Sequence, residues 1–438
     1  MRRSIVALGF AVMLMACAVI AQAPAGPPAG QPGGAPAGAP AGAPGAGRGA
    51  GRGGRGPQII SPQIAADGTV TFRYADPNAT KITVSGELYG QTATLTKGDN
   101  GVWSATIGPL PPDIYAYSFN VDGVTALDPR NPDTKYGYGG FGATSVFEVP
   151  GDGPQFYDTK PVPHGQVRII PYISKTLGVS RTVWVYTPPN YDKGKDFPVV
   201  YLLHGAGDVE SGWTMIGRAN NIMDNLIAEG KAKPMVVVMP LGQTIQSWWT
   251  GPAANAVVPP APAPAAAPAP GGAPGAGPGA GPGGPGGGFG GQSGALQLFG
   301  KDLIDDVMPL VESSFKVSKK ADDRAIAGLS MGGGQTLNIA FNRPDLFRWV
   351  VMMSPAAGPQ AEQQYPAIFK DPSGINKQFK LFWIGVGKDD TLVGPGVRAL
   401  DPVLTKAGIK HTFTIGDGRH EWTVWRHNLN DVAPLLFR

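Results

Sequence analysis

The chain holds a single cysteine, Cys17, so no disulfide can form within it. Charge is sparse, at 16% of residues, and its excess sits at one end. The net charge of +4 includes Arg2, Arg3, Arg48, Arg52 and Arg55, which lie in a stretch with no acid before Asp67. The remainder is near neutral, which argues against a basic surface for nucleic acid. No apolar run reaches the roughly 20 residues that a bilayer span requires. His, Cys, Asp and Glu do not cluster at metal-ligand spacing, so no metal is expected. There are only five histidines.

What is present begins with a basic pair, Arg2-Arg3, an apolar run from Ile5 and small residues at Val19-Ile20-Ala21. This predicts a signal peptide over residues 1–21 and a secreted or periplasmic protein. Leu14-Met15-Ala16-Cys17 resembles a lipoprotein box, which offers lipid anchoring at Cys17 as a lesser alternative; the apolar residues continuing past it argue against that. Residues 22–57 and 251–294 are tracts of Ala, Gly and Pro. They lack the large apolar side chains that offset chain entropy, and are expected to be a disordered linker and a disordered insert.

After the first tract the patterning changes once. Over residues 58–150, Val70, Phe72 and Tyr74, then Trp103, Ala105 and Ile107, then Tyr115, Tyr117 and Phe119 recur at period two between turn residues. That predicts an all-β antiparallel sandwich whose aromatics serve its core more than sugar stacking. Over residues 155–438 a hairpin (Val167–Ile173, Arg181–Thr187) precedes unbroken apolar runs. These are Val199–Leu203, Met235–Met239, Ala325–Ala327, Val350–Met353, Leu381–Val386 and Thr412–Ile415, with helical spacing between them. Such runs fit strands buried on both faces, hence a doubly wound, mostly parallel α/β sheet.

The chemistry centres on Gly328-Leu329-Ser330-Met331-Gly332, set between an apolar run and a predicted helix over Met331–Asn342. This is the form of a nucleophile elbow with Ser330 at its apex. A serine hydroxyl is a weak nucleophile and needs a base and an orienting acid, which follow it in that order in α/β-hydrolases. His164 and His204 precede the elbow. Of the later three, His411 opens a strand and His427 falls in the last helix, while His420 occupies the turn after Thr412–Ile415. His420 is therefore the expected base. The acid belongs after Leu381–Val386, where Asp389 and Asp390 are equally suited. An oxyanion hole needs two backbone N–H groups. Met331 should give one, and the loop His204-Gly205-Ala206-Gly207 the other, with His204 a structural hydrogen-bonding residue.

Leu202-Leu203-His204-Gly205-Ala206-Gly207 with Trp213, Gly328-Leu329-Ser330-Met331-Gly332-Gly333, and His420-Glu421-Trp422 followed by Trp425-Arg426 together resemble the esterase D-like carbohydrate esterases. That group includes feruloyl, acetyl-xylan and siderophore esterases. The order of motifs over residues 58–150, ending in Asp128-Pro129-Arg130-Asn131-Pro132, resembles the immunoglobulin-like early-set domains that precede such enzymes. The resemblance implies an α/β-hydrolase domain after an immunoglobulin-like sandwich. It also implies Ser330 as nucleophile, His420 as base, Asp390 (ahead of Thr391-Leu392-Val393) as acid, and Ala206 and Met331 as oxyanion donors, with no cofactor.

The expected activity is removal of feruloyl or acetyl groups from plant polysaccharide such as xylan, with Trp248 or Trp249 candidates for an acyl pocket. Siderophore-ester cleavage, acyl transfer to a sugar hydroxyl, and non-catalytic carbohydrate binding are the alternatives. The insert after Trp249 departs from the shorter loops of relatives and bears on substrate access.

Overall fold

The computed structural model describes residues 59–138, 142–245 and 293–438. The leader at 1–21 with Cys17, the linker at 22–57, Trp248, Trp249 and all but the last two residues of the insert lie outside them.

The alternating segment folds into strands that pair only antiparallel with neighbours. They are β1 (Gln63–Ile64), β2 (Val70–Ala75), β3 (Ile82–Glu87), β4 (Ala93–Thr94), β5 (Thr96–Lys97), β6 (Val102–Ile107), β7 (Asp113–Val121), β8 (Val124–Ala126), β9 (Thr134–Lys135) and β10 (Thr144–Val149). One sheet has the order β1-β2-β6-β5 and the other β4-β3-β7-β10-β9, with β8 on β7. Val70 and Phe72 from the first sheet bury against Val84, Tyr117, Phe119 and Phe147 from the second. The rings of Phe72 and Tyr117 lie 4.7 Å apart. Tyr115 and Tyr117 are thus core side chains. The Tyr117 hydroxyl donates to Asp128 Oδ2 at 2.8 Å, and Asn131 Nδ2 donates to the Val146 carbonyl at 2.8 Å. These bonds give the Asp128–Asn131 stretch a structural task.

β7 departs from the half-buried pattern, because its first five residues are all buried. The face opposite the tyrosines carries Ile114 and Ala116, which join Val146 in packing against Trp213, Ile216 and Trp422 of the C-terminal region. Alternation alone would give that face to solvent. Its coverage makes the described residues from Ile59 onward one compact unit.

The unbroken runs form a single eight-stranded sheet. The hairpin β11 (Gln166–Ser174) and β12 (Val179–Thr187) leads into β13 (Val199–Leu203), β14 (Val236–Pro240), β15 (Arg324–Leu329), β16 (Trp349–Met353), β17 (Leu381–Gly387) and β18 (Thr412–Gly416). The order is β11-β12-β14-β13-β15-β16-β17-β18. Pairing is antiparallel as far as β12·β14 and parallel beyond it.

Side chains alternate between two apolar layers, as the pleat requires. Val200, Leu202, Val237, Ala327 and Val351 meet α1 (Ala219–Ala228) on one face. Tyr201, Leu203, Val238, Ile326 and Val350 meet the other face, covered by a helical run starting with α2 (Ser293–Asp302) and continuing to Ser314. α3 (Met331–Asn342) and α4 (Gly394–Lys406) join that second layer, and α5 (Trp422–Val432) the first. Each buried Val, Leu or Ile in these layers stabilises the fold by about 1.5–3 kcal/mol. This is an α/β-hydrolase-type domain. Since β13, β15, β17 and β18 run parallel, the loops following them emerge at one end of the sheet.

Candidate active site

Ser330 sits between β15 and α3 with φ 51° and ψ −114°, a backbone geometry that costs a residue with a Cβ on the order of 1–3 kcal/mol. Packing holds it there. Its N–H donates to the Met353 carbonyl at 2.9 Å, and its carbonyl accepts from Ala356 at 2.8 Å and Gly334 at 3.0 Å. Two glycines make the sharp turn possible. A Cβ at Gly328 would lie 2.3 Å from the Gly332 carbonyl oxygen, and one at Gly332 would lie 2.6 Å from that of His204. The elbow therefore closes directly onto the loop after β13.

His420 Nε2 lies 2.8 Å from Ser330 Oγ, and His420 Nδ1 lies 2.8 Å from Asp390 Oδ2. Asp390 is fully buried and its Oδ1 accepts from the backbone N–H groups of Leu392 and Val393, each at 3.0 Å. Burial pushes the Asp390 pKa upward, but the bond to His420, its charge and the backbone donors of Val393 and Gly394 outweigh it and hold the group below the usual carboxylate range. Asp389 is exposed, its N–H bonded to the Gly418 carbonyl at 3.0 Å. Of the two aspartates left open by spacing, Asp390 is the one beside the histidine.

The remaining histidines have other partners. His164 Nδ1 meets Asp224 at 2.9 Å, His411 Nε2 meets Asp401 at 2.9 Å, and His427 Nε2 meets Asp113 at 3.2 Å. His204 bonds through Nδ1 to the Gly205 carbonyl, and its Nε2 accepts from Gly242 N–H, both at 2.8 Å. Burial lowers its pKa, so a neutral ring clamps the β13 and β14 loops together.

A Cβ on Gly205 would lie 3.3 Å from Ser330 Cβ, so this loop lines the serine, with Ala206 the next residue. Met331 is the first residue of α3, where backbone N–H groups lack intrahelical acceptors. Trp248 and Trp249 lie outside the described residues.

Behind the site lies a charged layer to which the sequence alone assigned no role. Lys135 Nζ and Asp208 Oδ1 are 2.6 Å apart, both buried. Burial pushes the Lys135 pKa down, but Asp208 and Glu87 outweigh it and leave it raised. Glu421, next to His420, is 5% exposed. Burial, reinforced by the Glu87 carboxylate, pushes its pKa up to about 7 against the pull of Arg419 and the N–H groups of Tyr89 and Gly90. Arg426 is fully buried, paired with Asp113 and donating to the Ile216 carbonyl at 2.8 Å. Arg426 carried a signal only as part of the motif Trp425-Arg426; Glu87 and Lys135 gave none.

A buried carboxylate, a histidine and a serine at the tip of a strained elbow form the arrangement that serine hydrolases use. The chain matches the family model "Esterase" (described as "Putative esterase") over residues 174–267 and 289–436, and belongs to that family. It is 31% identical over 386 residues to an endo-1,4-beta-xylanase/feruloyl esterase of Xylanibacter ruminicola, a match covering 86% of this chain and 46% of the relative. A second relative, endo-1,4-beta-xylanase Y of Acetivibrio thermocellus, is 22% identical over 62% of this chain and 23% of its own length. The chain thus spans less than half the length of these curated relatives. Among solved structures, the enterochelin esterase of Shigella flexneri superposes with a TM-score of 0.60 at 18% identity, covering 86% of this chain and 94% of its own. That likeness is one of fold.

Proposed function

We propose that the chain is a serine carboxylic-ester hydrolase using Ser330, His420 and Asp390, and that residues 58–150 are an immunoglobulin-like module preceding a hydrolase domain over 155–438. The observation carrying this reading is the pair of 2.8 Å contacts joining Asp390, His420 and Ser330. His420 Nε2 takes the hydroxyl proton as Ser330 Oγ attacks the ester carbonyl carbon. Asp390 fixes the Nδ1–H tautomer and stabilises the imidazolium. The N–H groups of Ala206 and Met331 receive the oxyanion, each worth about 3 kcal/mol of barrier. Collapse expels the alcohol, which takes the proton from His420. Water, deprotonated by the same nitrogen, then releases the acid and restores the serine.

Two substrate classes compete within this reading. Siderophore-type esters are supported by architecture, since the superposition on the enterochelin esterase covers 86% of this chain, more than the hydrolase region alone. Removal of feruloyl or acetyl groups from plant cell-wall polysaccharide such as xylan is supported by the relative of 31% identity. A panel of a catecholate siderophore ester, methyl ferulate, acetylated xylan and an aryl acetate, with Ser330→Ala as blank, separates them. Added sugar alcohol in the same panel reports acyl transfer. Failure of a fluorophosphonate probe to label wild type at Ser330 would replace the hydrolase reading by non-catalytic carbohydrate binding.

A further inference from the structure

The β region touches the loops of the proposed site directly, at two places. The first is the start of α5. Its first residue, Trp422, follows His420 by two, and the preceding Glu421 supplies no side-chain cap. Instead the Trp422 N–H donates to Glu87 Oε2 at 2.9 Å, from the last residue of β3. A carboxylate here satisfies an N–H that the helix cannot, and complements the positive end of the helix dipole. Beside it the Arg419 guanidinium crosses Gly90 so closely that a Cβ there would lie 2.8 Å from Nη1. The second place is the loop after β13, where Lys135 pairs with Asp208 and the Tyr138 N–H donates to the Gly207 carbonyl at 2.8 Å.

We propose that Glu87 is a positioning residue for ester cleavage: it caps α5 from the β region and thereby sets His420 against Ser330, while Lys135 fixes the oxyanion loop from the same side. The coupling has two physical routes. His420 is bonded into the chain just ahead of the helix, and its ring packs edge-on against Trp425 of α5, with centroids 5.0 Å apart. A shift of the helix start therefore moves the imidazole relative to a serine oxygen 2.8 Å away. Misplacement on the scale of 1 Å costs on the order of a hundredfold in rate.

The inference rests on the hydrolase reading, and the test separates the two. The full chain is assayed with a small aryl acetate, which needs no extended binding surface, as wild type, Ser330→Ala, Glu87→Gln and Glu87→Asp. Glu87→Gln keeps the acceptor in place and removes the charge; Glu87→Asp keeps the charge and withdraws the acceptor by one methylene. The expected result is a Gln variant within about threefold of wild-type kcat. The Asp variant should lose roughly tenfold to a hundredfold in kcat with KM unchanged. Melting temperatures of both are recorded, and the ordering is read on folded protein. Any other ordering, including two equal variants or a loss confined to KM, overturns the proposal. Activity persisting in Ser330→Ala would instead overturn the reading on which it rests.

Discussion

Glu421 offers a quantitative test of the charged layer behind the site. Its carboxyl is raised from 4.5 to about 7 in the folded chain, chiefly by burial. Below pH 4.5 the group is protonated both folded and unfolded and has no effect on stability. Between 4.5 and 7 the unfolded chain releases the proton while the folded chain keeps it. Folding then binds a proton, so stability falls as pH rises through this window and levels off above it. At 1.36 kcal/mol per unit, the shift corresponds to about 3 kcal/mol. Glu421→Gln keeps the volume and removes the titration. Urea unfolding of wild type and variant, at half-unit steps from pH 4.5 to 8, gives the difference between them directly. The Gln variant should gain on wild type by about 3 kcal/mol across the window, with no further gain above pH 7.5. The partly buried Glu87 is also raised by burial, so its slope has the same sign; Asp390, held low, contributes only at more acidic pH. A difference that stays flat within about 1 kcal/mol would refute the assignment of a buried, neutral carboxyl beside His420.

Substitution within the hydrogen-bonded chain should act on rate more than on fold. Asp390→Asn should lower kcat by about 10⁴-fold, because the asparagine amide favours the wrong imidazole tautomer, whereas Asp389→Asn should stay within about twofold; steady-state kinetics on an aryl acetate compare them. His420→Ala should cost on the order of 10⁶-fold in kcat with an unchanged far-ultraviolet circular dichroism spectrum. Gly332→Ala would press a methyl group against the His204 carbonyl at 2.6 Å. It should destabilise the chain by about 1–3 kcal/mol or more in urea and slow fluorophosphonate labelling, and normal behaviour on both counts would mean the elbow is looser than its contacts imply.

The difference between what was readable in advance and what was not follows from how far each signal travels along the chain. The apolar runs predicted β13 with its observed ends, and β14 only one residue early, because a strand covered on both faces leaves no polar position to blur it. His420 could be separated from His411 and His427 because loop order relative to the elbow is itself a chain property. Asp390 and Asp389 could not be separated by spacing, since adjacent residues share a loop and differ only in which one turns inward. β7 shows the limit more sharply. Its tyrosine face was legible by alternation, but Ile114 and Ala116 look like the ordinary solvent face of a strand until the helix that covers them is in place. Glu87 lies 335 residues from the N–H it accepts, and Lys135 lies 73 residues from Asp208. No local period or motif records a pairing of that length. The parts of the site written as motifs are those that a hydrolase domain can form from its own loops. Glu87 and Lys135 come from the β region, and removing that region would strip the Trp422 N–H and the Asp208 carboxylate of these partners. Excision of residues 58–150 should therefore lower turnover of small soluble esters, which a module serving only to anchor a polymer would leave untouched.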